Sequence, residues 1–537
     1  MLHEIVSLST LLPLVGVLWL VAPWLLVLLG VCYARQPLAQ QVAAGLCLTV
    51  LAGSVFGFIL TQISPVASSQ IGGQWWAVQV DMLSSLMMAL TALIGWVIIR
   101  YSDRYLAGNP QKSSYFKDLF WILASVWLLV STHSVLVLVL AWLVNDLLLH
   151  RLLTFFSQRP AAILAARKRL LAVSLANLCL IAATLWLYAL YGTFAIDALL
   201  LAVSHNISSP SLWGVALLLV MGVMLKTAQL PAHGWILQVM EAPTPVSALL
   251  HAGIINIGGY VLLRFSGLLD TVPTAQVLLV VIGGLTACVA SVVMLTRVSI
   301  KVMLAWSTCA QMGFMLLEIG LGAYSLALLH LLAHSLYKAH AFLAAGETAW
   351  SATRLNQLAA PAMDNSRAKW LRLLLVMGLA AGIGFIGFSL TEDAVFTLFV
   401  FAYMIGIFPL LQAYGTAGQL RSVLTIGATL LGLMLLYALL HQLFEQLLPS
   451  AVDSRPAFLF WAVALAFGVL LLVQEMVIAD PAGRFARWLH PRAFAGFYLD
   501  EGMTRLTWRL WPSRIKSIPA NTTNVAILTA QTAQEQP

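Results

Sequence analysis

Charged residues are scarce in this sequence. Asp, Glu, Lys and Arg together make up 9% of its 537 residues, whereas 61% are apolar. Soluble globular domains carry roughly a quarter charged residues, so this composition excludes a soluble protein. Each charge inside an apolar stretch then needs its own explanation, because an unpaired charge in hydrocarbon is costly.

Cysteine is also scarce, and the common motifs of catalytic sites are missing. Cys32, Cys47, Cys179, Cys288 and Cys309 stand singly in apolar segments without a C-x-x-C spacing. That spacing argues against a zinc or iron–sulfur site and favours small core residues. No Gly-rich phosphate loop or nucleophile elbow is present either. We therefore expect no metal or cofactor in this chain and no enzymatic activity of its own.

Long apolar runs recur along nearly the whole sequence. A helix of about 20 apolar residues crosses a hydrocarbon core of about 30 Å. Such runs fall at 9–33, 40–62, 82–101, 116–131, 134–156, 169–192, 211–240, 245–268, 275–296, 302–321, 323–349, 370–388, 394–415, 423–447 and 457–479. The sequence therefore predicts an all-α polytopic membrane protein with about 13–15 transmembrane helices.

The Lys and Arg residues between the runs alternate between two sides. They follow the first, third, fifth, ninth, eleventh and thirteenth runs, at Arg35; Arg100, Arg104, Lys112 and Lys117; Arg151, Arg159, Arg167, Lys168 and Arg169; Arg297; Arg354, Arg367, Lys369 and Arg372; and Arg421. The loops at 63–81, 132–133, 193–210 and 269–274 contain neither residue, and Arg455 is an exception to the pattern. Because Lys and Arg accumulate in cytoplasmic loops, the N-terminus is predicted outside and the C-terminus in the cytoplasm.

The outer loop at 63–80 is predicted to form a short hairpin. It contains Gly72 and Gly73 and ends in the alternating segment Val78-Gln79-Val80. Asp81 follows directly, and aspartate is a favoured N-cap for the helix that comes next.

The composition changes after Asp480. Basic residues alternate with aromatic ones over 481–516, at Arg484, Arg487, Arg492, Arg505, Arg509, Arg514 and Lys516 and at Trp488, Phe494, Phe497, Tyr498, Trp508 and Trp511. One interpretation is an interfacial helix held by anionic lipid. The other is a platform on which a cytoplasmic partner docks. The polar tail at 517–537 is predicted to be disordered.

The segment Leu225-Lys226-Thr227-Ala228-Gln229-Leu230-Pro231 interrupts the seventh run. An ammonium at membrane depth is costly unless it faces a partner or water. Pro231 removes a backbone donor, and irregular backbone is tolerated at that depth only where it lines protein or a wet cavity. The sequence therefore predicts a charged hinge inside the membrane at Lys226, followed by His251 in the next run.

His330, His334 and Lys338 share one face of the run at 323–349, because they follow one another at intervals of four residues. A single buried histidine is usually a hydrogen-bonded structural residue, whereas several titratable groups on one face can pass protons. A metal site is the competing use of the histidines, but no carboxylate or thiol has the spacing to complete a tetrahedron. We predict a proton path across the middle of the membrane.

Other ionisable residues fall inside or beside apolar runs. Lys301 and Glu318 stand near the two ends of one run, Asp146 lies within another, and Glu392 and Asp393 lie near a break at 388–394. Their positions make them further candidates for the path.

These motifs together resemble the proton-conducting transporter family, which includes the antiporter-like subunits of respiratory complex I and the Mrp sodium/proton antiporters. The motifs are Lys226-Thr-Ala-Gln-Leu-Pro, Ala242-Pro-Thr-Pro-Val-Ser-Ala-Leu-Leu-His251-Ala, Ser299-Ile-Lys301 with Ala305-Trp-Ser307-Thr308, Gln311-Met-Gly313-Phe314, and His330-x3-His334-x3-Lys338. The resemblance covers about 81–350 and implies two inverted five-helix repeats, at 116–268 and 269–415, each with one broken helix. It also implies a central polar axis made of Lys226, His251, Lys301, His330, His334 and Lys338. The remaining units would be the N-terminal helices at 1–115 and the C-terminal helices at 416–480.

The sequence departs from this family at the carboxylates. Complex I subunits of this kind pair the broken-helix lysine with a glutamate shortly after the tryptophan that matches Trp142. Here Leu143 stands at that position, and Asp146 follows one turn later. Glu392 and Asp393 match the second broken helix only loosely. An ion-pair switch in this chain would therefore use Asp146.

The ending His490-Pro491-Arg492-Ala493-Phe494-Ala495-Gly496-Phe497-Tyr498-Leu499-Asp500-Glu501 resembles the DabB membrane subunits of inorganic-carbon accumulation complexes. The resemblance implies a cytoplasmic partner, DabA, which is similar to β-carbonic anhydrases and holds a zinc ion. The residues expected to bind it are Arg492, Phe494, Phe497, Tyr498, Asp500 and Arg505.

The leading hypothesis is a subunit of the bacterial inner membrane that conducts protons or Na+ and drives uptake of CO2 or bicarbonate through that partner. The alternatives are a proton-pumping subunit of an NADH–quinone oxidoreductase, a cation/proton antiporter subunit and a purely structural scaffold. The expected partners are membrane lipid and the zinc-containing subunit, and no nucleic acid.

Overall fold

A computed structural model describes residues 11–33, 36–63, 69–73, 76–156, 158–205, 210–238, 241–346, 432, 439, 442–445, 457–480 and 482–512. The first elements are α1 (Leu12–Leu28, continued by a π-helical turn, Leu29–Tyr33), α2 (Pro37–Ile63), β1 (Ser69–Gly73), β2 (Trp76–Val80), α3 (Met82–Tyr105), α4 (Lys112–Ser131), α5 (Val135–Leu153), α6 (Pro160–Tyr191) and α7 (Ile196–His205). The middle of the chain forms α8 (Pro210–Lys226), α9 (Gly234–Gln238), α10 (Thr244–Ala252), a 3-10 turn (Ile254–Asn256), α11 (Ile257–Arg264), α12 (Ser266–Asp270), α13 (Pro273–Met294), α14 (Ile300–Gly320) and α15 (Tyr324–Leu343). The last elements are α16 (Ala457–Ala479), α17 (Arg484–Phe494), a 3-10 turn (Gly496–Tyr498) and α18 (Glu501–Leu510).

The predicted class, an all-α polytopic membrane protein, is confirmed. Within the described residues, nine helical stretches are long and apolar enough to cross a membrane. Helix α15, with 20 residues, is of spanning length as well. Most predicted runs match helices to within a few residues, whereas the runs at 370–388 and 394–415 and most of 423–447 lie outside the described residues. The division of the chain at 115, 268, 415 and 480 stays a prediction.

The predicted start of the sixth helix is wrong. Helix α6 begins at Pro160, in the first turn, where the missing N–H of proline has no helical partner to lose. Arg167, Lys168 and Arg169 are therefore helical residues rather than loop residues, and both Lys168 and Arg169 are buried. Because 160–168 contains four alanines and ends in Arg167 and Lys168, it is a good helix former that hydropathy alone does not reveal.

Two further predictions are corrected. The stretch at 193–210, predicted as a loop, contains the short helix α7, whose Leu199 and Val203 are buried one turn apart. Cys32 is exposed rather than buried, whereas Cys47 and Cys309 are buried as predicted.

The predicted hairpin and its helix cap are both present. Strands β1 and β2 pair antiparallel with Ile71 opposite Val78. Asp81 Oδ1 accepts a hydrogen bond from the Ser84 N–H at 2.8 Å, and Ser84 Oγ accepts one from the Asp81 N–H at 3.1 Å. This capping box starts α3, and the guanidinium of Arg264 at the end of α11 donates to the same carboxylate.

Asp81 lies outside the spanning helix, and its pKa is lowered. Burial of the carboxyl raises the pKa, but the Arg264 guanidinium and the bonds from Ser84 together outweigh burial. A lowered pKa in the folded state means that the stabilisation is full above the unfolded-state value of about 3.9 and is lost as the pH falls toward the folded pKa.

Replacing Asp81 by alanine is expected to lower the free energy of unfolding by about 3 kcal/mol, because the change removes the cap and leaves Arg264 without its carboxylate. Asp81→Asn keeps a capping oxygen, so its loss should be smaller by about 1 kcal/mol. Thermal unfolding in detergent at neutral pH measures both variants. Equal losses for the two variants would show that the cap contributes nothing.

The two ends of the bundle differ in structure. The hairpin end holds β1, β2 and the turns that contain His133 and Ala195, which join the hairpin through backbone hydrogen bonds and isolated bridges. The opposite end holds α17 and α18, which we call the C-terminal segment (Arg484–Leu510). Apolar side chains such as Leu14, Trp24 and Leu178 are largely exposed on the helices between the ends. These surfaces suit contact with lipid tails.

Small residues allow α13 and α14 to pack closely. A Cβ on Gly283 of α13 would lie 2.6 Å from the carbonyl oxygen of Gly313 on α14, and the reverse contact has the same distance. Neither position can hold a larger side chain without separating the two helices. This contact fixes α14, which supplies several of the polar groups of the site.

Candidate functional site

The broken helix is formed by α8 and α9. Helix α8 ends at Lys226, and the segment up to His233 is not helical before α9 begins at Gly234. Side chains replace part of the lost backbone bonding: Leu230 N–H donates to Thr286 Oγ1 at 3.2 Å, and Gln229 Nε2 donates to the Thr227 carbonyl at 3.0 Å. The predicted hinge at Lys226 is therefore present in the structure and is enclosed by protein, as irregular backbone at membrane depth requires.

Three charged side chains meet beside this break, and we call them the carboxylate cluster: Asp146 of α5, Arg169 of α6 and Lys226 of α8. The Lys226 ammonium donates to Asp146 Oδ2, and Arg169 Nη2 donates to Asp146 Oδ1 at 2.7 Å. Arg169 Nη1 also donates to the Asp146 carbonyl at 3.1 Å. All three residues are buried. The Lys226 ammonium also lies 4.3 Å from the ring centre of Trp142, a cation–π contact.

The carboxylate cluster holds two cations against one carboxylate. A guanidinium keeps its proton in proteins, whereas an ammonium can release one. Loss of a proton from Lys226 would leave a neutral arrangement in which Asp146 pairs with Arg169 alone. In a poorly solvated site, such a change of one unit of charge alters the forces on all three helices strongly.

A row of bases runs along α15, and we call it the base row: His330, His334 and Lys338. The rings of His330 and His334 are 6.1 Å apart between centres, so the predicted common face is present. Lys338 and His334 are buried, and His330 is partly buried. At the end nearer the hairpin, His330 Nδ1 lies 2.8 Å from Glu318 Oε2 of α14. At the other end, Lys338 Nζ donates to Ser307 Oγ at 2.7 Å and to the Leu304 carbonyl at 3.1 Å.

His251 of α10 joins the base row through one turn of α14. Its Nδ1 lies 3.1 Å from Thr308 Oγ1, which in turn donates to the Leu304 carbonyl at 3.0 Å. Lys338 donates to the same carbonyl. The His251 ring also stacks on Phe342 with 4.3 Å between centres. The Leu304 carbonyl therefore accepts from Lys338 directly, and Thr308 links it to His251.

Several nitrogens of these bases have no hydrogen-bond partner among the described protein atoms. They are both ring nitrogens of His334 and the Nε2 atoms of His251 and His330, all of them buried. Buried polar atoms in proteins are almost always paired, with ordered water where protein is lacking. Ring nitrogens that protein leaves unpaired are the groups that a proton relay through water would use.

Lys301 lies apart from the other predicted axis residues. It stands in the first turn of α14, where its ammonium donates to Thr244 Oγ1 at 2.9 Å. That contact places it near the start of α10, toward the opposite end of the bundle from the hairpin. Glu392 and Asp393 lie outside the described residues, so their part in the path stays a prediction.

Sequence reasoning missed two basic residues of the site region, Arg169 and Lys168. The apolar run at 169–192 counts both among the loop charges, because hydropathy starts the sixth helix at 169. The signal that could have found them is helical propensity across 160–168, which places both residues inside a helix. The buried contact of Lys168 with Asp500 spans 332 residues of sequence, and no local pattern reveals it.

The residues predicted to bind a partner divide into two groups. Asp500 faces inward to Lys168, Phe497 packs on the hydrophobic core, and Phe494 lies against the Arg297 guanidinium. Tyr498 and Arg505 are exposed, and Arg505 pairs locally with Glu501 at 2.9 Å. Arg492 is exposed over Trp488, with 4.5 Å to the ring centre. The second group, with half-exposed Phe494, forms the outward surface of the C-terminal segment.

Metal ligands are not gathered anywhere in the part of the chain that the structure describes. No three His, Cys, Asp or Glu residues there lie close enough together to hold a metal ion. His330, His334 and Glu318 adjoin one another without forming such a set.

Comparisons with known proteins match this architecture. Residues 132–414 match the family described as NADH:quinone oxidoreductase/Mrp antiporter, TM, and residues 74–116 match the N-terminus of complex I chain 5. A probable inorganic carbon transporter subunit DabB of Hydrogenovibrio crunogenus is 39% identical, over 86% of this chain and 89% of that protein. A probable inorganic carbon transporter subunit DabB2 of Halothiobacillus neapolitanus is 35% identical, over 82% of each chain.

The fold is shared with solved antiporter complexes. The Mrp complex from Dietzia sp. superposes with a TM-score of 0.54 at 22% identity, covering 98% of this chain and 59% of that one. The chain is a multi-pass membrane protein that belongs to the NADH:quinone oxidoreductase/Mrp antiporter family, within its branch of DabB inorganic carbon transporter subunits.

Proposed function

We propose that this chain is the cation-conducting membrane subunit of an inorganic carbon uptake complex. It would carry protons or Na+ down their gradient and use that flow to drive a cytoplasmic partner. The partner would be similar to β-carbonic anhydrases, hold a zinc ion and hydrate CO2 to bicarbonate and a proton. The inorganic carbon transporters among the DabB relatives support the carbon substrate, and the match over most of their length supports a common assembly.

The observation that carries the proposal is the carboxylate cluster at the broken helix. A structural scaffold has no use for two buried cations on one carboxylate, because apolar residues of similar size would stabilise the bundle at least as well. A cation carrier does need such a site, since binding or release of one proton changes its net charge. The base row, with its unpaired ring nitrogens, offers positions for relaying the proton toward and away from that site.

The proposed orientation places the hairpin end outside and the C-terminal segment in the cytoplasm of a bacterial inner membrane. The C-terminal segment, the first turns of α6 and the loops near them carry Arg159, Arg167, Arg297, Arg484 and Arg487. Such an excess of Arg is typical of the cytoplasmic side. The exposed Tyr498, Arg492 and Arg505 would then be available to the partner.

Co-expression of this chain with its DabA-type partner is expected to restore growth in air of a bacterium that lacks carbonic anhydrase. Neither subunit alone should do so, because the membrane subunit supplies the cation flow and the partner supplies the chemistry. Copurification should yield a zinc-containing complex. A complex that instead carries flavin and iron–sulfur clusters and reduces quinone would assign the chain to respiration, and absence of rescue by the intact pair would overturn the proposal.

A further inference from the structure

Two neighbouring residues of α6 make contacts in opposite directions. Arg169 binds Asp146 inside the carboxylate cluster. Lys168 binds Asp500 of the C-terminal segment, with 2.5 Å between Nζ and Oδ2. Lys168 is fully buried, and the Asp500 side chain is 26% exposed. A single peptide bond therefore connects the membrane ion pair to the segment that carries the exposed docking residues.

Gly234 completes this contact from the other side. It is the first residue of α9, the part of the broken helix that follows Lys226. A Cβ at Gly234 would lie 1.5 Å from Asp500 Oδ1, so only glycine leaves room for the carboxylate. Asp500 therefore touches both elements that bear on the carboxylate cluster: α6 through Lys168, and the broken helix through Gly234.

Contacts on both sides of Asp500 hold the rest of the C-terminal segment. Arg297 donates to the Ala493 carbonyl at 3.3 Å, and its guanidinium lies between the rings of Trp306 and Phe494. Arg167 donates to the Trp511 carbonyl at 3.4 Å, just beyond α18. These contacts suffice to keep the segment on the bundle. A buried ammonium–carboxylate pair stabilises no more than an apolar pair of that size would, so attachment alone does not explain it.

We infer that Lys168, Gly234 and Asp500 form a coupling joint, which transmits the state of the carboxylate cluster to the C-terminal segment. The inference deepens the proposed function, on which it rests for the identity of the driven partner. When Lys226 is charged, Asp146 binds two cations, Lys226 and Arg169. When Lys226 is neutral, Arg169 remains as the cationic partner of Asp146 among the described residues, and Asn177 Nδ2 donates to Oδ2 at 3.3 Å. The resulting shift of Arg169 moves Lys168 on the same turn of α6, and Lys168 carries Asp500 and α18 with it. Coupling requires such an element, whose position both sites affect.

Amide hydrogen exchange of the full-length protein in lipid nanodiscs tests the joint without any partner. Lys226→Ala is expected to change exchange in α18 (Glu501–Leu510) by about threefold or more. In a Gly234→Ala background, where the new Cβ displaces the Asp500 carboxylate, Lys226→Ala should leave α18 unchanged. Gly45→Ala in α2 is the matched control, because a Cβ there meets nothing within 4 Å and lies outside the measured segment. Equal exchange in α18 with and without Lys226→Ala would overturn the inference, whatever the carbon uptake assay shows.

Carbon uptake by the complete complex provides the second test. Gly234→Ala and Asp500→Asn are expected to lower uptake about tenfold or more while the partner still copurifies in wild-type amount. Glu501→Gln, at the neighbouring carboxylate that pairs with Arg505 at the surface, should leave uptake unchanged. If the amount of copurified partner fell in proportion to uptake, the contact would serve only to attach the partner, and the inference would be overturned.

A double replacement covers the case in which a single variant does not accumulate in the membrane. Lys168→Met with Asp500→Leu substitutes an apolar pair of similar volume, which buried ion pairs generally tolerate. The same loss of uptake with retained partner is expected, and normal uptake would contradict the joint. Absence of uptake by the wild-type complex would instead count against the proposed function alone, since hydrogen exchange tests the joint separately.

Discussion

Lys226→Ala and Lys226→Arg are both expected to reduce potential-driven cation flux through the protein by about tenfold or more. The flux is measured in proteoliposomes. Alanine removes the group that can release a proton. Arginine keeps the positive charge but holds its proton permanently. In both variants Asp146 keeps the bond from Arg169, so the protein should still fold and accumulate in the membrane.

The two Lys226 variants separate charge from proton transfer. If Lys226→Arg conducted protons like the wild type, Lys226 would act as a fixed charge, and the relay role given to it would be wrong. Lys112→Ala is the matched control. Lys112 Nζ lies 2.7 Å from Asp103 Oδ1 in a more exposed ion pair, so its replacement should not affect flux. Asp146→Asn should be the most damaging change to folding, since it leaves Lys226 and Arg169 buried without a countercharge, at a cost of about 3–5 kcal/mol.

Lys338→Met is expected to reduce proton flux about tenfold or more and to leave the thermal stability of the protein unchanged or raised. Lys338 is fully buried and, among the described residues, donates to Ser307 Oγ and the Leu304 carbonyl but pairs with no carboxylate. Methionine fills the same volume and removes the cost of burying an ammonium. A stable but inactive variant is the signature of a residue kept for transport.

His340→Gln is the control for the base row. His340 lies on the same helix, but it is exposed. Its replacement should leave proton flux within about twofold of the wild type, the usual scale for a surface change. Flux in Lys338→Met that matched the control would remove the base row from the path and leave the carboxylate cluster as the sole conducting site under test.

The membrane helices were predictable because their cause is local. Each span needs about 20 apolar residues in succession, and that requirement is written into one short stretch at a time. The same holds for Asp81, whose role as a cap depends on Ser84 three positions later. It also holds for the break after Lys226, where Gln229 and Pro231 end the helix within a few residues. The short helix α7 and the early start of α6 escaped prediction because both lie in stretches that are too short or too basic for a hydropathy signal.

The candidate site was predictable in its parts but not in its pairings. The base row follows from a spacing of four residues on one helix, and Lys226 and Asp146 each stand out as charges in apolar surroundings. Their resemblance to the family pattern suggested that they pair. Arg169 as a second cation on Asp146 was not foreseen, and neither was the sharing of the Leu304 carbonyl between Thr308 and Lys338.

Local sequence patterns are enough to show that this chain crosses a membrane many times, that one helix breaks at a lysine, and that a row of bases lies on one helical face. The tertiary structure alone decided which charge meets which. Composition and periodicity act over one or two helical turns, whereas the contact of Lys168 with Asp500 joins residues 332 positions apart and exists only because Gly234 leaves space between packed elements. Buried charges interact over a few ångströms, and that distance is set by helix packing rather than by position along the chain.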